Sequence, residues 1–189
     1  MLRGIYTVAH ALEAATRNQE IVSENLAHSV TPGYRRAGHL FEVSGTRGNE
    51  GEGESNRTFS HFESGPLQQT NNPLDVALVG NAFFVLEGPS GPVYTRNGGF
   101  EIAPDGRLRI RGGEYPVMGQ GGPIRLPADA GAIAIGTDGT LSVNGVEVAR
   151  IQLTTFENPG ALQRVGTTLF AGGAPQTPPP GTVRVEQGY

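Results

Sequence analysis

The residues that could carry chemistry in this chain are four histidines, a scatter of carboxylates, two serine-glycine pairs and one glycine cluster. His10, His28, His39 and His61 are far apart in sequence, and none has a second His at the spacing that sets two ligands on one face. They read as surface or interface residues. Glu50, Glu52 and Glu54 alternate with glycine and would offer oxygens to a hard cation, but nothing in the surrounding sequence preorganises them. Gly119-Gln120-Gly121-Gly122 lacks the following Lys-Ser/Thr and the strand-to-helix setting that phosphate cradling requires, and Pro123 follows at once. Ser64-Gly65 and Ser90-Gly91 lie in Gly/Pro turns without a Gly-x-Ser-x-Gly elbow. Asp75, Asp105, Asp129 and Asp138 supply carboxylates, three of which are explained as turn or strand-entry residues. Cysteine is absent, which removes disulfides, thiolate chemistry and Cys-ligated metal. The reading is a protein that is not an enzyme, with no catalytic, cofactor-binding or metal-binding residue to assign and no cofactor.

Composition narrows the class further. A formal net charge of −4 with scattered basic residues offers no phosphate-binding surface, so nucleic acid is not expected as a partner. No run approaches the roughly 20 apolar residues of a membrane helix, and membrane insertion is not expected. Residues 1 to 15 are broken by Arg3, His10 and Glu13 and do not read as a cleaved signal. Hydrophobic residues make up 37%, and 29 Gly with 14 Pro give nearly a quarter of the 189 residues to turn formers. That balance suits short strands and tight turns, with an extended appendage beside a compact part. The expected fold class is mainly β, an irregular domain of short hairpins, plus an N-terminal α-helix of coiled-coil type.

The helix is the most regular feature. Met1, Ile5, Val8, Leu12, Ala15, Gln19, Val22 and Leu26 are spaced 4, 3, 4, 3, 4, 3, 4, and only Gln19 is not apolar. A 3.5-residue period makes helices supercoil about a partner, because only then does the stripe stay in line. Arg3, Glu13, Arg17, Asn18 and Glu24 lie away from it. A lone helix of this length is marginal in water, and each buried Ile, Val or Leu contributes about 1.5–3 kcal/mol. The stripe must therefore pack on something, either the chain's own β-rich part or other helices; the heptad regularity favours the second. Ile5, Val8, Leu12, Val22 and Leu26 are the candidate assembly interface. Thr31-Pro32-Gly33-Tyr34 should end the helix, since Pro32 disfavours helical geometry at Thr31 and Gly33 can take positive φ.

Residues 37–61 read as a flexible polar linker or loop, because Gly45 to Asn56 contains no apolar residue that could offset its ordering entropy. Residues 62–174 read as β. Asp75 to Glu87 suggests two strands broken at Gly80-Asn81, and Asp105-Gly106, Asp138-Gly139 and Asn144-Gly145 are signals for type I′ hairpins and a meander. Ile102 to Ile110 and Ile135 to Val143 share the pattern apolar-x-x-Asp-Gly-x-Leu-x-apolar, one hairpin design used twice. Residues 175–189 read as a Pro-rich tail.

Asn25-Leu26-Ala27-His28-Ser29-Val30-Thr31-Pro32-Gly33-Tyr34-Arg35 resembles the amino-terminal signature of flagellar hook and basal-body rod proteins, with His28 where the family usually has Asn. Asn25, Thr31, Pro32, Gly33 and Tyr34 are the motif residues at the turn. Further segments are similar to that family in the same order. They are Thr70-Asn71-Asn72-Pro73-Leu74-Asp75-Val76-Ala77 with Gly80-Asn81-Ala82-Phe83-Phe84, Tyr94 to Phe100, Tyr115 to Gly119, Phe156 to Leu162 and Gly166 to Phe170. The resemblance covers residues 1–36 and about 62–189 and is closest to a proximal or distal rod subunit. It implies a structural protein of the basal body that leaves the cytoplasm through the flagellar export apparatus without a cleaved signal. Its partners would be copies of itself and other rod or hook subunits, stacked helically in the part of the axis that crosses the periplasm. It also implies a second amphipathic helix beyond the position of Gly188-Tyr189, which this sequence does not include. A hook-type axial subunit and a soluble β-rich adaptor or binding module are the alternative readings.

Overall fold

A computed structural model of the chain describes residues 2–42, 55–63, 65–127 and 130–189. Two compact units emerge, one made of Met1–Thr31 with Arg35–His61 and the other of Pro32–Tyr34 with Phe62–Tyr189. In the first unit the helix α1 spans Leu2–Ala27, and the strands β1 (Ala37–Glu42) and β2 (Ser55–Ser60) form an antiparallel pair with Ala37 opposite Ser60. The helix therefore stops four residues before Thr31. The chain then turns, with Ser29 Oγ and its amide both donating to the Leu26 carbonyl and the Thr31 amide donating to that of His28. Such local side-chain bonds compete with the helix ladder.

Paired strands also stand at 37–42 and 55–60, where the sequence pointed to a linker. The reading of 43–54 as flexible, with Glu50, Glu52 and Glu54, lies outside the described residues, as do Ser64 and Asp129.

The second unit is built of β-strands with a 3-10 turn at Pro159–Ala161. Its strands run β3 (Val76–Val79), β4 (Phe83–Gly88), β5 (Gly91–Thr95), β6 (Phe100–Ile102), β7 (Leu108–Ile110), β8 (Met118–Gly119) and β9 (Gly122–Pro123). After these come β10 (Ile133–Ile135), β11 (Thr140–Val143), β12 (Val146–Arg150), β13 (Leu153–Thr154), β14 (Gln163–Arg164), β15 (Leu169–Ala171) and β16 (Arg184–Gln187). The largest sheet has the order β13-β4-β5-β15-β14, a second has the order β10-β11-β12, and the rest are two-stranded. The expected mainly β fold with an N-terminal helix is what forms, and no barrel closes among these strands. Only β10-β11-β12 is a true meander of three neighbours.

β4 explains how so small a unit holds together. Phe84 and Leu86 point into one core with Val76, Leu78, Phe100, Leu108, Leu141, Ile151 and Val185. Phe83 and Val85 point the other way, into a cluster with Tyr94, Phe156, Leu162 and Phe170. A strand buried on both faces reads as a continuous apolar run, as Phe-Phe-Val-Leu does. The second cluster is built on edge-to-face ring contacts, with Phe62–Phe83 centroids 5.5 Å apart, Phe83–Phe156 at 5.5 Å and Tyr94–Phe156 at 4.8 Å.

The repeated hairpin design holds in detail, but with a different turn from the one expected. Gly106 N donates to Ala103 O and Ala103 N to Arg107 O; Gly139 N donates to Gly136 O and Gly136 N to Thr140 O. Only the glycine of each Asp-Gly pair has positive φ, so these are three-residue loops, 104–106 and 137–139, with a glycine bulge; type I′ geometry occurs at Asn144 (φ 53) and Gly145 (φ 80). The aspartates serve instead as local acceptors, Asp105 Oδ1 from Arg107 N and Asp138 Oδ1 from Thr140 N, both at 3.1 Å. Leu108 with Ile110 and Leu141 with Val143 are buried in both copies, as the alternation requires.

The Pro-rich end does not trail away. β16 pairs antiparallel with β3 in the register Val185–Leu78, Val185 is 1% exposed, and the Gln187 amide bonds Pro73 O, Ile133 O and the Ile135 amide. Thr70 N and Asn71 N donate to Gly188 O, and Gly188 N donates to Asp75 O. The Asn-Asn-Pro-Leu-Asp segment is thus the fastening for residues 184–188.

Two outcomes are expected. Phe170→Ala should lower unfolding free energy by about 3–5 kcal/mol in urea titrations followed by near-UV circular dichroism, because it empties the centre of the aromatic cluster. The backbone N–H groups of Arg107 and Thr140 hold the Asp105 and Asp138 carboxyls below the ordinary aspartate range. A depressed folded value means that whatever stability these groups contribute is present above the unfolded value and lost as pH falls through the folded one. An NMR carboxyl titration should therefore place both midpoints below that of unstructured aspartate.

Candidate assembly surface and signature turn

At 3.6 residues per turn, Val8, Leu12, Ala15, Gln19, Val22 and Leu26 fall within about 80° of arc on α1. Val8 is 70% exposed, Leu12 68%, Val22 63% and Leu26 73%. Ile5 belongs to the same helix, though its side chain lies outside the described residues. A different face of α1 serves its own unit. Among the described side chains Ala14, Ile21 and Asn25 are the half-buried residues of α1, with His28 half-buried just past its end, and the three on the helix lie roughly 120° round from the apolar line. The heptad line and the inward face are therefore separate surfaces, and the structure leaves the apolar one open.

Asn25 accounts for the fixed geometry at the end of the helix. Its Nδ2 donates to the Ala37 carbonyl and its Oδ1 accepts from the Ala37 amide, both at 2.9 Å. The side-chain amide thus acts as a short piece of strand, pairing in both directions with the first residue of β1. His28 Nδ1 lies 3.4 Å from Thr31 Oγ1, so the His that stands in place of the family's Asn still meets the motif threonine.

Pro32, Gly33 and Tyr34 belong with the β-rich unit. Gly33 has φ +71, and a Cβ there would lie 2.3 Å from Asn97 N and 2.4 Å from Asn97 Cα. Backbone meets backbone, so no side chain can yield and only glycine fits. Beside it the Arg164 guanidinium lies over the Tyr34 ring at 5.0 Å and over the Phe170 ring at 5.2 Å, sandwiched between motif turn and aromatic cluster.

The segment that receives Gly33 is itself pinned. Thr95 Oγ1 donates to Thr168 O and accepts from Asn97 N, and Asn97 Oδ1 accepts from Gly99 N. Arg96, 6% exposed, donates to the carbonyls of Phe62 and Gly80 and lies over the Phe83 ring. Burying a guanidinium is costly unless acceptors meet it, and these two carbonyls each take one of its terminal nitrogens.

Sequence reasoning singled out Gly33 and Tyr34 without saying what they touch, and it passed over Arg164 and Arg96. Arg164 follows the Phe156 to Leu162 segment by two residues and has no local pattern of its own. Its role comes from three stretches of chain meeting.

The grouping is chemically quiet. Among the described residues no three His, Asp or Glu side chains gather as a metal site would require. The glycine cluster 119–122 forms the tight turn between β8 and β9. His61 stacks edge-on to Phe59 at 5.0 Å.

Gly33→Ala should cost about 2–4 kcal/mol through the combined positive φ and backbone clash, read as a lowered urea midpoint. Asn25→Ala should cost about 1–3 kcal/mol by leaving the Ala37 amide and carbonyl unpaired, seen as loss of hydrogen-exchange protection at that amide.

A family model described as "Flagellar hook protein FlgE/F/G D1 domain" matches residues 77–143, from β3 through β11. The "Flagellar basal-body rod protein FlgF" of Mesorhizobium japonicum is 34% identical over the whole of this chain and 78% of its own length. That of Salmonella typhimurium is 35% identical over 90% of this chain and 71% of its length. The "Flagellar basal-body rod protein FlgG" of Bacillus subtilis is 26% identical over 90% and 73%. Identity of this order over nearly the whole chain accounts for the Asn25–Tyr34 signature and the β-unit together, and the chain belongs to the flagellar basal-body rod protein family.

Proposed function

We propose that this chain is a structural subunit of the basal-body rod that assembles through the exposed apolar line of α1. The observation that supports this most is the exposure of Val8, Leu12, Val22 and Leu26 along one side of a helix whose other face is already engaged. Covering those four side chains is worth about 6–12 kcal/mol per helix at the usual value per side chain. Association alone costs about 4–15 kcal/mol. A single pair of copies is then marginal, while a position with several helical neighbours is favourable, which is the energetic signature of a polymer.

On this reading the partners are copies of the same chain and neighbouring rod or hook subunits. The flagellum's own secretion apparatus delivers the chain to the part of the axis that crosses the periplasm, without a cleaved signal. The work is mechanical, and Ile5 extends the line toward the amino end. Leu12→Asp should abolish assembly and swimming while changing β-unit stability by less than about 0.5 kcal/mol, since Leu12 is exposed. Soft-agar motility with peptide mass spectrometry of purified basal bodies reads the first effect and urea titration the second. Normal motility with Leu12→Asp would remove the role assigned to the helix.

A further inference from the structure

The hairpins β4-β5, β6-β7, β8-β9 and β10-β11-β12 each join neighbouring stretches of chain. Local pairs of this kind close at little cost in loop entropy and form early. Residues 183–188 have the opposite character. Gln187 meets Pro73, 114 residues upstream, and Ile133, 54 residues upstream. The segment can dock only on parts of the unit that were made long before it.

Three parts of the unit meet on this segment. β16 supplies the strand partner of β3, with Val185 opposite Leu78 and Gln187 opposite Val76. The Val185 side chain lies in the core with Leu78, Ile135, Leu141 and Ile151, and its amide donates to Thr137 O at 2.9 Å. Gly188 O accepts from the Thr70 and Asn71 amides, and Gly188 N donates to Asp75 O. The Gln187 carboxamide takes the place of a further strand beside β10, an outer strand of its sheet. Its Nε2 donates to Ile133 O at 3.1 Å and its Oε1 accepts from Ile135 N at 3.3 Å, while the same Nε2 donates to Pro73 O at 2.8 Å. Until these bonds form, backbone groups of β3, β10 and the 70–75 segment lack the partners that burial demands, and the core lacks Val185. That side of the unit then stays solvated.

We infer that residues 183–188 are a clasp that closes last, and that the β-rich unit of a chain under synthesis stays open until this segment is free to dock. Synthesis runs from the amino end, so the order of emergence and the order of closure coincide. None of this depends on α1. On the rod-subunit reading above the delay has a use, because a unit that is open until its last strand arrives can still be passed on as an extended chain.

The test holds the full chain on the ribosome through a carboxy-terminal linker and arrest sequence of two lengths. The short linker keeps residues 183–189 inside the exit tunnel with residues up to 171 outside it, and the long one frees the whole chain. Both are treated with proteinase K, and the fragment spanning β4 to β15 is followed by mass spectrometry. The expected result is loss of the fragment with the short linker and survival with the long one, with Val185→Asp restoring the loss in the long-linker chain. Survival with the short linker overturns the inference, as does loss with both linkers or survival of the Val185→Asp chain. Refolding of the free full chain checks the order without a ribosome. In pulsed hydrogen exchange the Val185 amide should gain protection after the Val85 amide, which bonds Gln152 O. Protection of both in one phase, or of Val185 first, overturns the order of closure.

Discussion

The organisation of the β-rich unit depends on β4 being buried on both faces. A strand whose side chains alternate between two cores cannot be an edge, cannot slip by one residue, and must be covered from both sides. Phe84 and Leu86 recruit the repeated hairpins and β16 on one side, and Phe83 and Val85 recruit Phe156, Phe170 and Tyr94 on the other. The strands that do this covering are short because each supplies only two or three inward residues. This explains how a chain with 37% hydrophobic residues and so much glycine and proline can still hold a tight core. The signature turn is tied to the same constraint, since Gly33 lies on Asn97, two residues past the end of β5, the strand that pairs with β4.

Much of this was legible in the sequence because it is local. The heptad of α1 depends on spacing alone, and the twinned Asp-Gly hairpins on nine-residue patterns whose inward residues stay inward. The turn type was not legible. Asp-Gly is compatible with both I′ and a glycine bulge, and Pro104 and Thr137, just before the aspartates, accompany the bulged loop in this fold. The end of the chain was misread for a related reason. Proline and glycine at 178–181 mark a turn, while the alternation Val183-Arg184-Val185 that follows is too short to signal a strand until its partner β3 is known. Residues 37–42 and 55–60 likewise pair with each other across a polar insertion that composition alone reads as linker.

The site residues divide in the same way. Gly33 could be named from its motif, but its necessity is a contact with Asn97, 64 positions away, which no local pattern records. Asn25 could be named too, yet its part in holding Ala37 depends on the chain doubling back twelve residues later. Arg164 is the extreme case: an isolated arginine that matters because Tyr34 and Phe170 happen to flank it. The motif's polar members therefore act as backbone substitutes and spacers, and they need no reactive atoms to do so.

Exposed apolar surface is a hazard for a free chain, and on α1 it is presented as a narrow line of separate side chains. One broad patch large enough to pair tightly would make the free chain aggregate. On the proposed reading, covering the α1 line is worth about as much as association costs, so a single pair of free copies is marginal. The gain becomes sufficient where several helices are presented at once, because linked contacts close at high effective concentration. On that reading assembly is confined to places where several helices already stand together, and the same weakness that keeps free copies apart makes an array depend on having its neighbours in place.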